Sequence, residues 1–389
     1  MVTTAVCQAG PPVRHPYAVS RMPGAQCSAT VEESARTPEE DTMRWGPRPG
    51  RSGLRAAVVV VAACLAGAAC AAEGATPATR ASTSESEATP PTTPGWPPVT
   101  DILKSGGSAL PVYDADWVQV IDGHAWTTLG SGVVRQLDGR TGKELTGVKV
   151  PGETCTAMDV GHGALWVGVC SSPSVLLRID PTTGRVAARI PLPGLVIQSE
   201  GSVASGEGSV WVVGNTPGRQ LVRVDAKTNQ VVSRTRVPDT VVAARAGLGG
   251  LWLTDPTRGV LLRLDPRTQK TVATVGVGAG ARFFAVGEGA VWVQNNLDGT
   301  VSRVDPATNA VTATIRVDSG PVDGGDLAVG GGFVWARVSD ALVAKIDPAT
   351  STVVARYGPS AGSGSVAADD TAVWISAHDI DVVYRLPLR

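Results

Sequence analysis

His378 is followed at once by Asp379 and, two residues later, by Asp381. An imidazole among carboxylates can move a proton or, with three donors on one loop, ligate a metal ion. Acid–base work in both directions needs a second titrating partner, and the other histidines are His15, His124 and His162. A wider set of polar side chains could recognise a ligand by charge and hydrogen bonding. Asn215, Arg219, Asp255, Arg258, Asn295, Asn296 and Asp298 stand in one kind of loop; Glu153, Gln198, Glu200, Arg245, Arg282, Asp323 and Asp326 stand in another. The chain has no phosphate-binding glycine loop and no His-Glu-x-x-His. The expectation is a binding site rather than a catalytic one, with no cofactor and no resident metal.

What must position these residues is a repeat. Trp126, Trp166, Trp211, Trp252, Trp292, Trp335 and Trp374 recur at gaps of 40, 45, 41, 40, 43 and 39 residues. Twelve to fourteen residues after each of the first six comes an aspartate opening a turn: Asp138, Asp180, Asp225, Asp265, Asp305 and Asp347. The stretch 283–317 shows one unit clearly. Strands are expected at 283–286, 290–294, 300–304 and 311–317, with Gly287-Glu288-Gly289 as a tight turn. Four-stranded units of about 40 residues specify an all-β, seven-bladed β-propeller with four-stranded antiparallel blades. The last unit lacks a fourth strand before Arg389, and the segment Val99 to Val112 can supply it, closing the ring. Each turn aspartate is expected to cap its turn. The basic residue two positions earlier (Arg178, Arg223, Arg263, Arg303, Lys345, Arg385) is expected to form an ion pair.

In such a fold, loops between second and third strands and loops between blades share one face and ring the channel mouth. Every loop residue named above, with His378, Asp379 and Asp381, is therefore placed at that mouth, the concave place the fold provides. His124 and His162 fall in turns on the opposite face. Cys155 and Cys170 lie symmetrically about the turn Gly161-His162-Gly163, which predicts a disulfide across a hairpin.

The phrases Val291-Trp-Val-Gln-Asn-Asn and Gly299-Thr-Val-Ser-Arg-Val-Asp-Pro-Ala-Thr-Asn-Ala-Val-Thr-Ala-Thr-Ile resemble the YVTN-type propeller repeat. They are also similar to the repeat of the streptogramin B lyase group. The resemblance covers about 100–389 and implies an exported or anchored propeller. The lyase group uses paired histidines, a glutamate and a magnesium ion. With His15 outside the mature protein and two histidines on the far face, His378 stands alone, so no catalytic set carries over. A lyase or hydrolase using His378 with nearby carboxylates is the alternative to a binding module.

The N-terminal quarter gives the address. Residues 1–55 have no apolar periodicity and read as a disordered extension, with Met43 a natural start. Residues 56–70 begin with the apolar run Ala56 to Ala69, too short to cross a bilayer and preceded by arginines, which reads as an export signal. The run ends at Cys70 behind small residues, as in a bacterial lipoprotein, so Cys70 is the expected lipidated residue. Residues 71–98 are rich in Thr, Pro and Ser and form a linker; 99–389 form the propeller. The whole chain of 389 residues carries 34 basic and 35 acidic residues, a balance that argues against a nucleic-acid partner. The sequence thus predicts an extracytoplasmic monomer held to the membrane through a lipid alone, binding a protein, a cell-envelope component or a small molecule.

Overall fold

The computed structural model describes residues 95–388, apart from residues 114, 129–131, 198–199 and 217. The N-terminal extension, the signal, Cys70 and residues 71–94 lie outside the described residues, as does Gln198. The remainder forms seven sheets: blade 1 (117–149), blade 2 (154–192), blade 3 (203–236), blade 4 (243–276), blade 5 (281–316), blade 6 (327–358) and blade 7 (366–387). Strands run a to d from the axis outward, and each a strand neighbours the a strands of the adjoining blades. Blade 5 matches its expected strands closely: Ala281–Gly287, Ala290–Asn295, Thr300–Asp305 and Ala310–Arg316.

Two N-terminal strands complete the ring. Strand β2 (Ser108–Pro111) pairs antiparallel with Val382–Pro387 and becomes the outer strand of blade 7, as anticipated. Strand β1 (Val99–Asp101) adds something unforeseen. It pairs parallel with Thr352–Gly358 and forms a fifth strand on blade 6. Before it, Trp96 donates its indole N–H to Arg316 O at 3.2 Å, and Arg356 Cζ sits 4.4 Å above its ring.

The seven repeated tryptophans are all fully buried. Each lies on strand b, so its large area fills the wedge between neighbouring sheets. Between strands a and b the chain turns with Glu288 at φ 49° and Gly289 at φ 71°, the pair of left-handed residues that a two-residue type I′ hairpin needs. The turn aspartates cap as expected: Asp265 accepts the backbone N–H groups of Arg267 (2.9 Å) and Thr268 (2.7 Å). These hydrogen bonds hold the carboxyls of Asp138, Asp180, Asp225, Asp265, Asp305 and Asp347 below their ordinary value.

The basic residues two positions earlier do not form the expected ion pairs with aspartate. Each stands directly across from its blade's tryptophan on strand c and lays its charge over that ring, at 5.4, 5.4, 5.0, 5.6, 5.3 and 5.6 Å in blades 2 to 7. Arg178 and Arg263 then donate to the next blade's turn, to Ala226 O (3.1 Å) and Pro306 O (2.5 Å). The physical reason is register. Trp252 is paired with Arg263 on the same sheet face, so the indole is the nearest partner and attracts the guanidinium. Blade 1 has Gln136 at this position, and its amide makes the equivalent bond to Pro181 O at 3.1 Å.

Cys155 and Cys170 are joined in a disulfide across the first hairpin of blade 2, with Cα atoms 5.2 Å apart.

Candidate functional site

Strand a of each blade starts at the face that carries the inter-blade loops and runs toward the a–b hairpins. Where these strands begin there is a cup of about 250 Å³, lined by Asp116, Glu200, Arg282, Asp323, His378 and Asp379. Arg282 pairs with Glu200 at 2.7 Å. His378 Nε2 meets Asp379 at 2.7 Å, and Nδ1 faces Asp116 at 3.5 Å. Four carboxylates thus surround one arginine and one histidine, and the cup is acidic.

The floor of the cup is apolar. Trp117 from blade 1 and Phe283 from blade 5 reach across the axis, with ring centroids 5.9 Å apart and 1% and 4% exposure. Arg282 Cζ lies 4.8 Å over Phe283, and Trp117 donates its indole N–H to Met158 O at 3.2 Å.

Further along the a strands a second chamber of about 260 Å³ opens toward the hairpin face. Blades 1 to 4 give it Gln119, Asp159, Ser205 and Arg245; blades 5 to 7 give it Ala285, Ala328 and Ala367 with neighbouring valines. Asp326 also borders it and is 1% exposed. Burial pushes the Asp326 carboxyl up to about 7, against the pull of Arg245. Burial likewise raises Asp159, again opposed by Arg245.

Of the mouth residues expected from the sequence, Arg282, His378, Asp379, Glu200 and Asp323 line the cup. Arg245 does not belong to the mouth. It sits within Ala243–Gly247, on the channel wall, because the strand of blade 4 begins two residues before it. Asp326 likewise lies just before its strand, Leu327–Gly330, and is buried beneath the rim. Others do local work. Arg219 is 9% exposed, and its backbone N–H and Nε donate to Asp239 Oδ1 (2.9 Å) and Asp239 O (3.3 Å). Asp255 is fully buried and accepts from Thr240 Oγ1 (2.6 Å) and Arg258 N (3.1 Å). Asn295 donates to Thr300 and Ser302, Asn296 to Val322 O and Gly324 O, and Asp298 accepts Ala279 N–H. Asn215 is half-buried at the end of Ser209–Thr216, opposite Arg219. Glu153 is exposed beside the disulfide, its carbonyl accepting Cys170 N–H.

Asp381 does not join His378 and Asp379 as a third ligand. It adopts φ 56° to end a short 3₁₀ turn, and its carbonyl accepts Val112 N–H. Among the described residues no group of three or more histidine, cysteine or acidic side chains is arranged to hold a metal ion.

The second chamber was missed, though a signal for it exists. Seven residues before each repeated tryptophan stand Gln119, Asp159, Ala204, Arg245, Ala285, Ala328 and Ala367. Nine before stand Trp117, Ala157, Ser202, Ala243, Phe283, Asp326 and Ser365. Both positions are small wherever the a strands crowd the axis. The large or charged exceptions are the residues that fill the channel or line it.

No family model matches the chain, and no curated protein matches it in sequence. In fold it is similar to the Pan2 WD40 domain of Neurospora crassa, at 11% identity and a TM-score of 0.58, over 71% of this chain and 89% of that one. It is also similar to the Cps50 (Swd1) β-propeller domain of Myceliophteria thermophila, at 11% identity and a TM-score of 0.57, over 72% and 97%. The RRP9 WD40 repeats align at 11% identity and a TM-score of 0.59, over 73% and 97%. At this identity the likeness speaks to architecture, and together with the seven sheets it makes the described chain a seven-bladed β-propeller.

Proposed function

We propose that this protein is an exported, lipid-anchored propeller of the YVTN type that works as a non-catalytic binding module, its acidic cup taking a cationic group of a partner protein, a cell-envelope component or a small ligand. The observation that carries the reading is the charge balance of the cup: four carboxylates surround Arg282 and His378, and the guanidinium and the imidazole each already meet an acid. A concave site with excess negative charge attracts an amine or guanidinium and repels anions. The arginines ahead of the apolar run and the small residues before Cys70 support the export and anchoring part.

The rival is a hydrolase or lyase built on His378. Ser363 Oγ lies 3.2 Å from Nδ1 and 3.4 Å from Nε2. An oxygen nearly equidistant from both ring nitrogens is off the lone-pair axis of each, so it is badly placed to give up its proton. Both nitrogens also face carboxylates.

Titration of the full chain with tetralysine and tetraglutamate tests the cup. Tetralysine is expected to bind, more weakly at higher salt, and an Asp116→Asn, Asp323→Asn, Asp379→Asn variant to lose it. Equal binding of tetraglutamate would overturn the reading. Labelled palmitate should enter the wild-type protein in a bacterial host and not the Cys70→Ala variant.

A further inference from the structure

The chamber behind the Trp117–Phe283 floor is separate from the cup and differs from it in chemistry. Its polar half comes from consecutive blades: Asp159 on blade 2, Ser205 on blade 3 and Arg245 on blade 4. Its other half is the apolar wall of Ala285, Ala328 and Ala367. One oxygen of Asp159 accepts the backbone N–H of Ser205 at 2.7 Å, which fixes the carboxylate in place. Both oxygens of Asp326 are met by main chain, from Leu327 N at 2.8 Å and Val366 N at 3.3 Å.

One group in the chamber has spare capacity; Ser205 Oγ, buried without a hydrogen-bond partner, lies against Gly161 of blade 2 instead. Arg245 gives one N–H to Ala244 O at 3.0 Å and stacks its Cζ 6.0 Å from the Phe284 ring, and among the described residues it closes no ion pair. Its field nevertheless reaches Asp159 and Asp326, opposing the burial that raises both carboxyls. A guanidinium with five donors, held near carboxylates yet not bound to them, can receive a planar anion in two parallel bonds.

We propose that this chamber is a second binding site, for a small zwitterion of the apolar α-amino-acid class, with its carboxylate on Arg245, its ammonium on Asp159 and its side chain against the alanine wall. A ligand with only a positive charge would face Arg245 across the same small space. One with only a negative charge would face Asp159 and Asp326. A molecule carrying both charges on adjacent atoms satisfies each end. Size agrees: about 260 Å³ is the room of roughly eight or nine waters at ~30 Å³ each, enough for a small amino acid and too little for a peptide of several residues.

The test is calorimetric titration of the full chain with L-alanine, L-valine and L-leucine, alongside isobutylamine and isovalerate as single-charge probes. The amino acids are expected to bind and each single-charge probe to bind about tenfold or more weakly, because each leaves one buried charge unmet. Arg245→Gln and Asp159→Asn should each weaken amino-acid binding by about the same factor. Asp323→Asn, in the cup, should leave it unchanged. Should the charge variants fail to fold, Ala328→Val shrinks the apolar wall with every charge kept, and is expected to reject leucine before alanine. Absence of amino-acid binding, equal binding of isobutylamine or isovalerate, or loss of binding in Asp323→Asn would each overturn the proposal.

Discussion

Replacing Arg263 by alanine tests the account of how neighbouring blades are held together. The guanidinium lies 5.0 Å over Trp252, gives Nη1 to Pro306 O at 2.5 Å and to Asn309 Oδ1 at 2.9 Å, and so joins blade 4 to blade 5. The stack contributes about 0.5–1 kcal/mol at a half-exposed position. Hydrogen bonds from a charged donor contribute about 1.5–3 kcal/mol net, and water can replace part of that at the half-buried Pro306 carbonyl. The expected loss is therefore about 2–4 kcal/mol. Arg263→Gln should cost less by about 1–2 kcal/mol, since the amide can make the carbonyl bond that Gln136 makes in blade 1. Arg236→Ala is the control. Its side chain and that of its partner Asp239 are 67% and 66% exposed and 3.5 Å apart, so it should change stability by less than about 1 kcal/mol. Equilibrium urea unfolding of the oxidised protein reads all three, provided the slope is unchanged. If Arg263→Ala stays within about 0.5 kcal/mol of wild type, or Arg263→Gln is as damaging as alanine, the inter-blade role is refuted.

Three further outcomes are expected. Trp252→Ala should cost about 3–5 kcal/mol, because a fully buried indole leaves a cavity between two sheets; urea unfolding measures it. Removing the disulfide with Cys155→Ser and Cys170→Ser, which frees a 15-residue loop, should cost about 3 kcal/mol and lower the thermal midpoint by several degrees. Asp326 is raised from 3.8 to about 7 in the folded state, so its stabilising effect is full below 3.8 and is lost as pH rises through about 7. Thermal midpoints between pH 4 and 8 should therefore fall more steeply in wild type than in Asp326→Asn, and parallel curves would contradict the burial argument.

The ring of seven was legible because one residue type, tryptophan, marks one structural position in every unit. The missing fourth strand of blade 7 was legible because counting strands leaves an edge that must be covered. Strand β1 was not legible: three residues, Val99 to Asp101, carry no alternation, and their parallel pairing follows from where the chain must travel to reach blade 7. The partner of Arg263 was misjudged because charge complementarity was sought in sequence, whereas pairing across strands b and c put an indole nearer than any carboxylate. The loops at the mouth drew attention because they vary. Asp159 and Gln119 vary too, but inside strands otherwise read as core, and only their common offset from the tryptophans sets them apart.

The two-step attachment of the N-terminal segment has a mechanical consequence. Tension arriving from the residues before Gly95 would meet the docked Trp96 and then β1 before it could reach β2, the strand that shuts the circle. A pull along β1 loads its few ladder bonds together in shear, while a sideways pull peels them singly. Losing β1 from blade 6 would therefore leave the β2 pairing, and with it the closed ring and both of its hollows, in place.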